Sequence, residues 1–506
     1  MSTIQQAAEA LQLAGQKVNP QYRPGYHIAA PANWINDPNG MVQFNGEYHV
    51  FYQHHPYDEH WGPMHWGHVK SKDLVHWEHC PIALAPGDVC DRDGCFSGSA
   101  VDDNGVLTLI YTGHHYTDRE KDLFTQNQNI AVSRDGITFD KYGANPVIAE
   151  PPADSAHHFR DPKVWKHNDT WYMVLGNATP DGHGRVILYH SPDLREWTYD
   201  GVLAASDGTL GFMWECPDFF ELDGRHVLLF SPQGMEREQD RYLNLFQTGY
   251  LVGDYDYATN NFSHGEFREM DHGHDFYAVQ TLLDEHGRRI AIGWMDMWES
   301  DMPTKAHGWA GALTLPRVLN LDNEGRLLMN PVEEMKLLRR DHYLLGEGFT
   351  LTGRRHEAIT ESLLEIHVVF DLTNSQSDKV GLTVHSGTHD ETVIMYDIAA
   401  GQLILDASKS GKPQDGIRIA PLQHNGTLAL RIFLDRSSIE VFANDGLATL
   451  TSRIYPTGGT TGLELCAIGK ETHVQEWNCW TLEDIWNNAD STDEAASSEP
   501  ETTSSK

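Results

Sequence analysis

The chain has 506 residues and a formal net charge of −36 with histidine counted neutral. That balance argues against nucleic acid or an anionic membrane as partner and suits a neutral or weakly charged small molecule. With 40% hydrophobic residues at this length more than one core is expected, and no apolar run of about 18 residues offers a transmembrane helix.

Residues 1–25 read as a helical extension. The polar run from Ser2 to Lys17 lacks the basic and apolar regions of a secretory signal, so a cytoplasmic protein is expected. Next, Trp34-Ile35-Asn36-Asp37-Pro38-Asn39-Gly40 sets a carboxylate in what reads as a tight Asn/Pro/Gly turn beside an aromatic ring. Alone, this is equally an ordinary Asx turn. Beyond it, turn residues open short strands at Gly46, Gly105, Asp169, Gly224 and Gly287, about sixty residues apart. A second series runs in phase: Ser71-Lys72-Asp73, Ser133-Arg134-Asp135 and Ser191-Pro192-Asp193, each leading to a Trp or Phe. A unit of that length holding several short strands, repeated five times, is a propeller blade; solenoid units are shorter.

The expected fold is therefore all-β. A five-bladed β-propeller spans 26–325, and a linker helix centred on Asn330–Arg340 spans 326–345. A C-terminal antiparallel β-sandwich of alternating apolar and polar segments spans 346–486, and a disordered acidic tail occupies 487–506. The six cysteines (Cys80, Cys90, Cys95, Cys216, Cys466 and Cys479) include no CxxC pair and read as reduced thiols.

The repeat also locates chemistry. Asp37, Asp161 and Glu215 fall eight or nine residues before the strand markers of blades one, three and four, and Ser97 takes that place in blade two. Equal phase means equal radius and height, so the three acids are expected to converge on the propeller axis at one mouth. Converging carboxylates raise one another's pKa, which makes a purely structural role hard to sustain. His54, His55, His60, His65 and His68 crowd one segment but fit no HExxH or zinc-ligand spacing. They read as pocket rim and loop packing, and neither a metal nor a cofactor is expected. Paired acids with abundant aromatic residues fit glycoside hydrolysis. Trp34, Trp61, Trp66 and Phe96 can supply platforms for sugar faces, and Asn36, Gln53, Ser97 and Arg160 partners for hydroxyls.

Taken together, Trp34–Gly40, Phe159-Arg160-Asp161-Pro162 and Trp214-Glu215-Cys216-Pro217-Asp218-Phe219-Phe220 resemble glycoside hydrolase family 32, the invertase, inulinase and sucrose-6-phosphate hydrolase group. The stretches at Trp61–His68, Phe96–Ala100, Asp275–Ala278, Gly293–Trp298 and Asp435–Phe442 extend the likeness, which is closest to bacterial intracellular sucrose hydrolases. The resemblance implies retaining cleavage of the terminal β-D-fructofuranoside of sucrose through a fructosyl-enzyme. It makes Asp37 the nucleophile, Glu215 the general acid/base and Asp161 the transition-state stabiliser, with the Asp37 and Glu215 carboxyls roughly 5–5.5 Å apart. It puts Trp34, Asn36, Gln53, Trp61, Phe96, Ser97, Arg160 and Trp298 at the sugar, Trp294 competing for the place of Trp298. Turn N–H donors are expected to keep Asp37 ionised, Trp214 and nearby acids to keep a proton on Glu215, and Arg160 to keep Asp161 charged. Val279 stands where the family usually has Pro or Ala, with a local backbone effect expected. The sandwich shows no catalytic-acid pattern; packing or homo-oligomer formation is its expected role. Alternatives at the same site are sucrose 6-phosphate, fructo-oligosaccharides, fructosyl transfer, or sugar binding without catalysis.

Overall fold

Each unit of about sixty residues folds into a small antiparallel sheet whose first strand faces a common axis. The computed structural model describes residues 3–387, 390–412, 416–458 and 460–487. The five sheets open with Asn33–Phe44, Gly94–Asp102, Phe159–His167, Met213–Leu222 and Tyr277–Leu283, and each next strand pairs with the one before it. Trp309–Ala310 adds in parallel to the innermost strand of blade one, so blade five reaches back to the start of the ring. The all-β propeller followed by a β-sandwich is the architecture expected from the repeat.

The Ser-x-Asp series has a physical origin. In blades one, two and three the Ser hydroxyl bonds the Asp carboxylate, which accepts backbone N–H groups further on: Val75 and His76 for Asp73, Ile137 and Thr138 for Asp135, Arg195 and Glu196 for Asp193. The residue after each Asp has positive φ: Leu74 at 68°, Gly136 at 74° and Leu194 at 69°. The two leucines accept this strained region because the side-chain hydrogen bonds over-determine the turn.

A second repeated device matters more for function. Every innermost strand carries one extra residue against its neighbour at the same depth. The ladder breaks between Ile35 and Pro38, Phe96 and Gly98, Arg160 and Lys163, Glu215 and Asp218, and Tyr277 and Gln280. Such bulges re-aim side chains. They also accommodate Pro162 and Pro217, which fall on bulged positions where the ladder bond is already lost, whereas Pro38 is the first paired residue after its bulge, opposite Tyr52. Trp34–Gly40 is therefore part of a bulged strand rather than a turn ahead of one. Gly40 sits at φ 53°, where an added Cβ would lie 2.7 Å from Phe51.

Outside the ring, Ile4–Gly15 is a helix capped by Thr3 and Gln6, with Ala7 as its buried contact. The propeller continues past residue 325, since the outer strand of blade five is Leu327–Pro331. The linker helix expected over 326–345 is replaced by a six-residue 3-10 turn, Glu333–Leu338. Good helix formers lose here because strand Arg339–Glu357 begins at once and pairs with the long strand Thr460–Leu482. Those two strands bend together at Gly353 (φ 71°) and carry the sheet from one layer of the sandwich to the other. The inward-facing aliphatic side chains and Trp477 form its core. Except for Asn487, the tail expected over 487–506 lies outside the described residues. No described helix is long and apolar enough to cross a membrane.

Candidate active site

The bulges set three distinct positions around the axis. Arg160, Glu215 and Tyr277 are the last paired residues before the bulge in blades three, four and five; Asp161, Cys216 and Ala278 follow them inside it. These last three share positive φ, at 62°, 48° and 54°. Asp37 lies one residue deeper into the bulge of blade one, and Ser97 is the single bulged residue of blade two. Relative to the bulge the acids step by one residue each, from Glu215 to Asp161 to Asp37, so the phase read from sequence is correct to within two residues. Those offsets give the three acids different directions.

They open into one cavity of about 350 Å³. Asn36, Asp37, Gln53, Trp61, Phe96, Ser97, Arg160, Asp161, Glu215 and Trp298 line it. Trp34 does not. It is buried behind the wall, stacked on Trp298 with ring centroids 5.9 Å apart, and its Nε1 donates to Asn36 Oδ1 at 2.7 Å. Its ring shares a strand face with cavity-lining Asn36 but lies under Trp298, which takes the place at the wall. Trp294 is likewise buried, edge-on to Trp298 at 5.1 Å, and Trp66 lies in the core with its Nε1 on Phe96 O.

Asp37 Oδ2 accepts from Ser97 Oγ at 2.5 Å and from Cys216 Sγ at 3.6 Å, and Oδ1 accepts from Asn36 Nδ2 at 3.1 Å. Its donors are side chains of its own strand, of blade two and of blade four, not turn amides. Burial, followed by the nearby Glu215 charge, pushes its carboxyl up to about 6, against the pull of those donors. Cys216 N donates to Asp161 Oδ2 at 2.9 Å, and its thiol, with one proton to give, lies 3.6 Å from both Asp161 Oδ2 and Asp37 Oδ2, between the two acids. Burial raises Asp161 as well, with Arg160 opposing and Glu215 and Asp37 adding to it.

Arg160 faces Glu215 rather than Asp161. Its Nε and Nη2 donate to Glu215 Oε1 at 3.0 and 2.7 Å, whereas Asp161 Oδ2 is 3.9 Å from Nε. Glu215 Oε2 accepts from Tyr277 Oη at 2.6 Å and Gln233 Nε2 at 2.8 Å. Trp214 is not against this carboxyl: pleating turns it to the opposite face, where it stacks on Phe230 at 4.0 Å and its Nε1 bonds Leu210 O. One step below the acids, Lys163 of blade three and Asp218 of blade four pair at 2.8 Å, so the next layer is polar.

The histidines of blade one are not at the rim. His54, His65 and His68 are buried inside the blade, and none of the five lines the cavity. Among the described residues, one group could hold a cation: exposed Asp58 and His60 with half-buried Glu59, whose donor atoms lie within 4.8 Å of one another. His114, Tyr116, Asp122, Phe124, Gln126, His158, Gln233 and Phe246 complete the lining and were not foreseen. Five of them come from one hairpin of blade two, Leu107–Asp118 and Leu123–Ser133, which overhangs the mouth. Tyr277 had a readable signal, since it begins the inner strand of blade five at the depth of Glu215.

A five-bladed propeller whose inner strands turn three acids into a cavity of sugar size has the architecture of a carbohydrate-cleaving enzyme. Known proteins agree. The family description "Glycosyl hydrolases family 32 N-terminal domain" fits residues 27–331, and "Glycosyl hydrolases family 32 C terminal" fits 338–481. A sucrose-6-phosphate hydrolase of Escherichia coli is 47% identical over 95% of this chain and 99% of its own. A raffinose invertase from the same organism is 45% identical over 95% and 99%. The solved β-fructofuranosidase of Bombyx mori superposes with a TM-score of 0.84 at 38% identity, over 95% of this chain and 98% of its own. A mutant of that enzyme was solved in complex with sucrose. The chain belongs to glycoside hydrolase family 32, and it is a glycoside hydrolase.

Proposed function

We propose that this enzyme hydrolyses sucrose by double displacement at its terminal β-D-fructofuranosyl unit. The observation that carries the reading is the arrangement of Asp37, Asp161 and Glu215 in one cavity, each with its own set of donors. Asp37 attacks the anomeric carbon of the fructosyl unit while protonated Glu215 gives its proton to the glucosyl oxygen. The fructosyl-Asp37 ester then yields to a water deprotonated by Glu215, releasing fructose. Asp161 hydrogen-bonds fructosyl hydroxyls, and the bonds strengthen as charge develops on the ring. Trp61, Phe96 and Trp298 offer apolar walls, with Asn36, Gln53 and Ser97 as polar partners. Arg160 and Tyr277 orient Glu215 from opposite sides.

Unphosphorylated sucrose is favoured over its 6-phosphate. Arg160 is the one Lys or Arg among the described lining residues, and two of its nitrogens already donate to Glu215 Oε1, while Asp122 adds negative charge at the mouth. A phosphate dianion would enter without a free cation to meet it. The compartment proposed is the cytoplasm, on imported sugar.

The test compares kcat/KM for sucrose, sucrose 6-phosphate, 1-kestose and inulin, identifies the products, and repeats the sucrose assay with Asp37→Ala and Glu215→Gln. Sucrose should be the best substrate, with glucose and fructose released in equal amounts and both variants silent. Preference for the phosphate, dominant oligosaccharide synthesis, or wild-type rates in either variant would overturn the reading.

A further inference from the structure

We infer that Arg453, a residue of the C-terminal sandwich, is a positioning residue for the propeller's active site. It ends strand Ala448–Arg453, the edge strand lying against blade five, and its side chain is 7% exposed. Two buried propeller carboxylates converge on it. Its backbone N–H donates to Asp275 Oδ2 at 2.7 Å, Nε and Nη2 reach Asp275 Oδ1 at 2.9 Å, and Nη2 is 2.9 Å from Asp296 Oδ1. The guanidinium also donates to Ser300 Oγ at 2.8 Å and Asp301 O at 3.3 Å, and Ser300 Oγ in turn donates to Asp296 Oδ1.

Each carboxylate sits two residues before a side chain that either walls the sugar cavity or holds one of its acids. Asp275 precedes Tyr277, whose hydroxyl holds Glu215 Oε2 at 2.6 Å. Asp296 precedes Trp298, which walls the cavity and stacks on Trp34. Trp298 stands outside any strand, in a turn where Glu299 has φ 61°, so no ladder of backbone bonds fixes it. The neighbouring segment is also held at close quarters: an added Cβ at Gly273 would lie 1.9 Å from Thr451 O. One planar, five-donor cation therefore fixes the acid/base partner and the aromatic wall relative to each other, a geometry an ammonium cannot reproduce. The second domain so contributes to the reaction without lending an atom to the cavity. This rests on the reading of Glu215 and Trp298 given above.

The experiment uses the full chain with Arg453→Met, Arg453→Lys and the milder Ser300→Ala. Arg431→Met serves as control, breaking a half-buried Arg431–Glu365 pair of the sandwich that bonds neither Asp275 nor Asp296. Sucrose kinetics are measured well below each variant's melting temperature, with acrylamide quenching of Trp298 taken as the difference from Trp298→Phe backgrounds. Arg453→Met should lower kcat by about ten- to a hundredfold, the scale of a misplaced catalytic group, and raise Trp298 quenching. Arg453→Lys should recover part of the loss, Ser300→Ala should show a several-fold loss, and Arg431→Met should match wild type in kcat despite a lowered melting temperature. If Arg453→Met and Ser300→Ala keep kcat and KM within about twofold of wild type, or if Arg431→Met loses as much kcat as Arg453→Met, the positioning role is wrong. Quenching needs no substrate: unchanged quenching in Arg453→Met refutes the role even if sucrose is not the substrate, whereas an active Asp37→Asn enzyme refutes only the reading of the site.

Discussion

Replacing Ser97 by Ala tests how Asp37, the proposed nucleophile, is kept charged. Asp37 is raised to about 6 by burial and by Glu215, and Ser97 Oγ, at 2.5 Å, opposes that rise. A raised carboxyl is ionised only above its pKa, so the competent form of Asp37 is lost as pH falls through 6. A hydrogen bond to a charged group is worth about 1.5–3 kcal/mol, or roughly one to two pKa units. Ser97→Ala should therefore move the acid limb of kcat/KM from near 6 to roughly 7–8. Hydrolysis at pH 5.5 should fall by about ten- to a hundredfold, while the rate at pH 9 stays within a few-fold of wild type. Glucose release from sucrose, followed from pH 4.5 to 9.5, reads this directly. The limb belongs to a coupled set that includes Asp161, but Ser97 bonds Asp37, so a shift on its removal reports on that member. A uniform loss across the range with an unmoved limb would refute the reasoning and leave Ser97 as a sugar ligand only.

Three other outcomes follow from the same contacts. Asp37→Asn should abolish turnover yet raise the melting temperature at pH 7.5: the folded pKa of about 6 lies above the ordinary 3.8, so the charged form costs stability above pH 6 and nothing below about pH 4. Calorimetry should show a gain on the order of 3 kcal/mol at neutral pH that vanishes toward pH 4. Tyr277→Phe removes a 2.6 Å donor from Glu215 Oε2 and should lower kcat by about ten- to a hundredfold with KM little changed in steady-state assays. Trp34→Phe deletes the N–H that orients Asn36 and should raise KM by about fivefold while sparing kcat, because the ring lies behind the cavity wall.

The parts of the molecule legible in the sequence are those that repeat. Glycine and aspartate turns recur because every blade needs the same hairpins, and Ser71, Ser133 and Ser191 recur because each builds the same side-chain-locked turn. Asp37, Asp161 and Glu215 were found through that phase. Their electrostatics were not, since these depend on which blade neighbours which: Ser97 and Cys216 reach Asp37 across blade boundaries, and Arg160 selects Glu215 over its own sequence neighbour. Trp214 is displaced because pleating turns alternate residues to opposite faces, and Trp34 because Trp298, distant in sequence, stacks over it. The hairpin supplying Tyr116, Asp122 and Phe124 breaks the repeat by being longer than its counterparts, so phase could not reach it. The segment at 326–345 reads as helix by propensity, yet pairing of Arg339–Glu357 with Thr460–Leu482 overrides it.

The shared bulge has a consequence for how such an enzyme can change. Near-identical backbone kinks at five stations carry an acid in three, a hydroxyl in the fourth, and Ala278 beside Tyr277 in the fifth. The scaffold's rotational symmetry thus ends at the main chain, and only side-chain identity makes the mouth one-sided toward a chiral sugar. Exchanging the occupant of one station alters chemistry or selectivity without asking the frame to refold, and that is where variants with altered substrate choice should be sought.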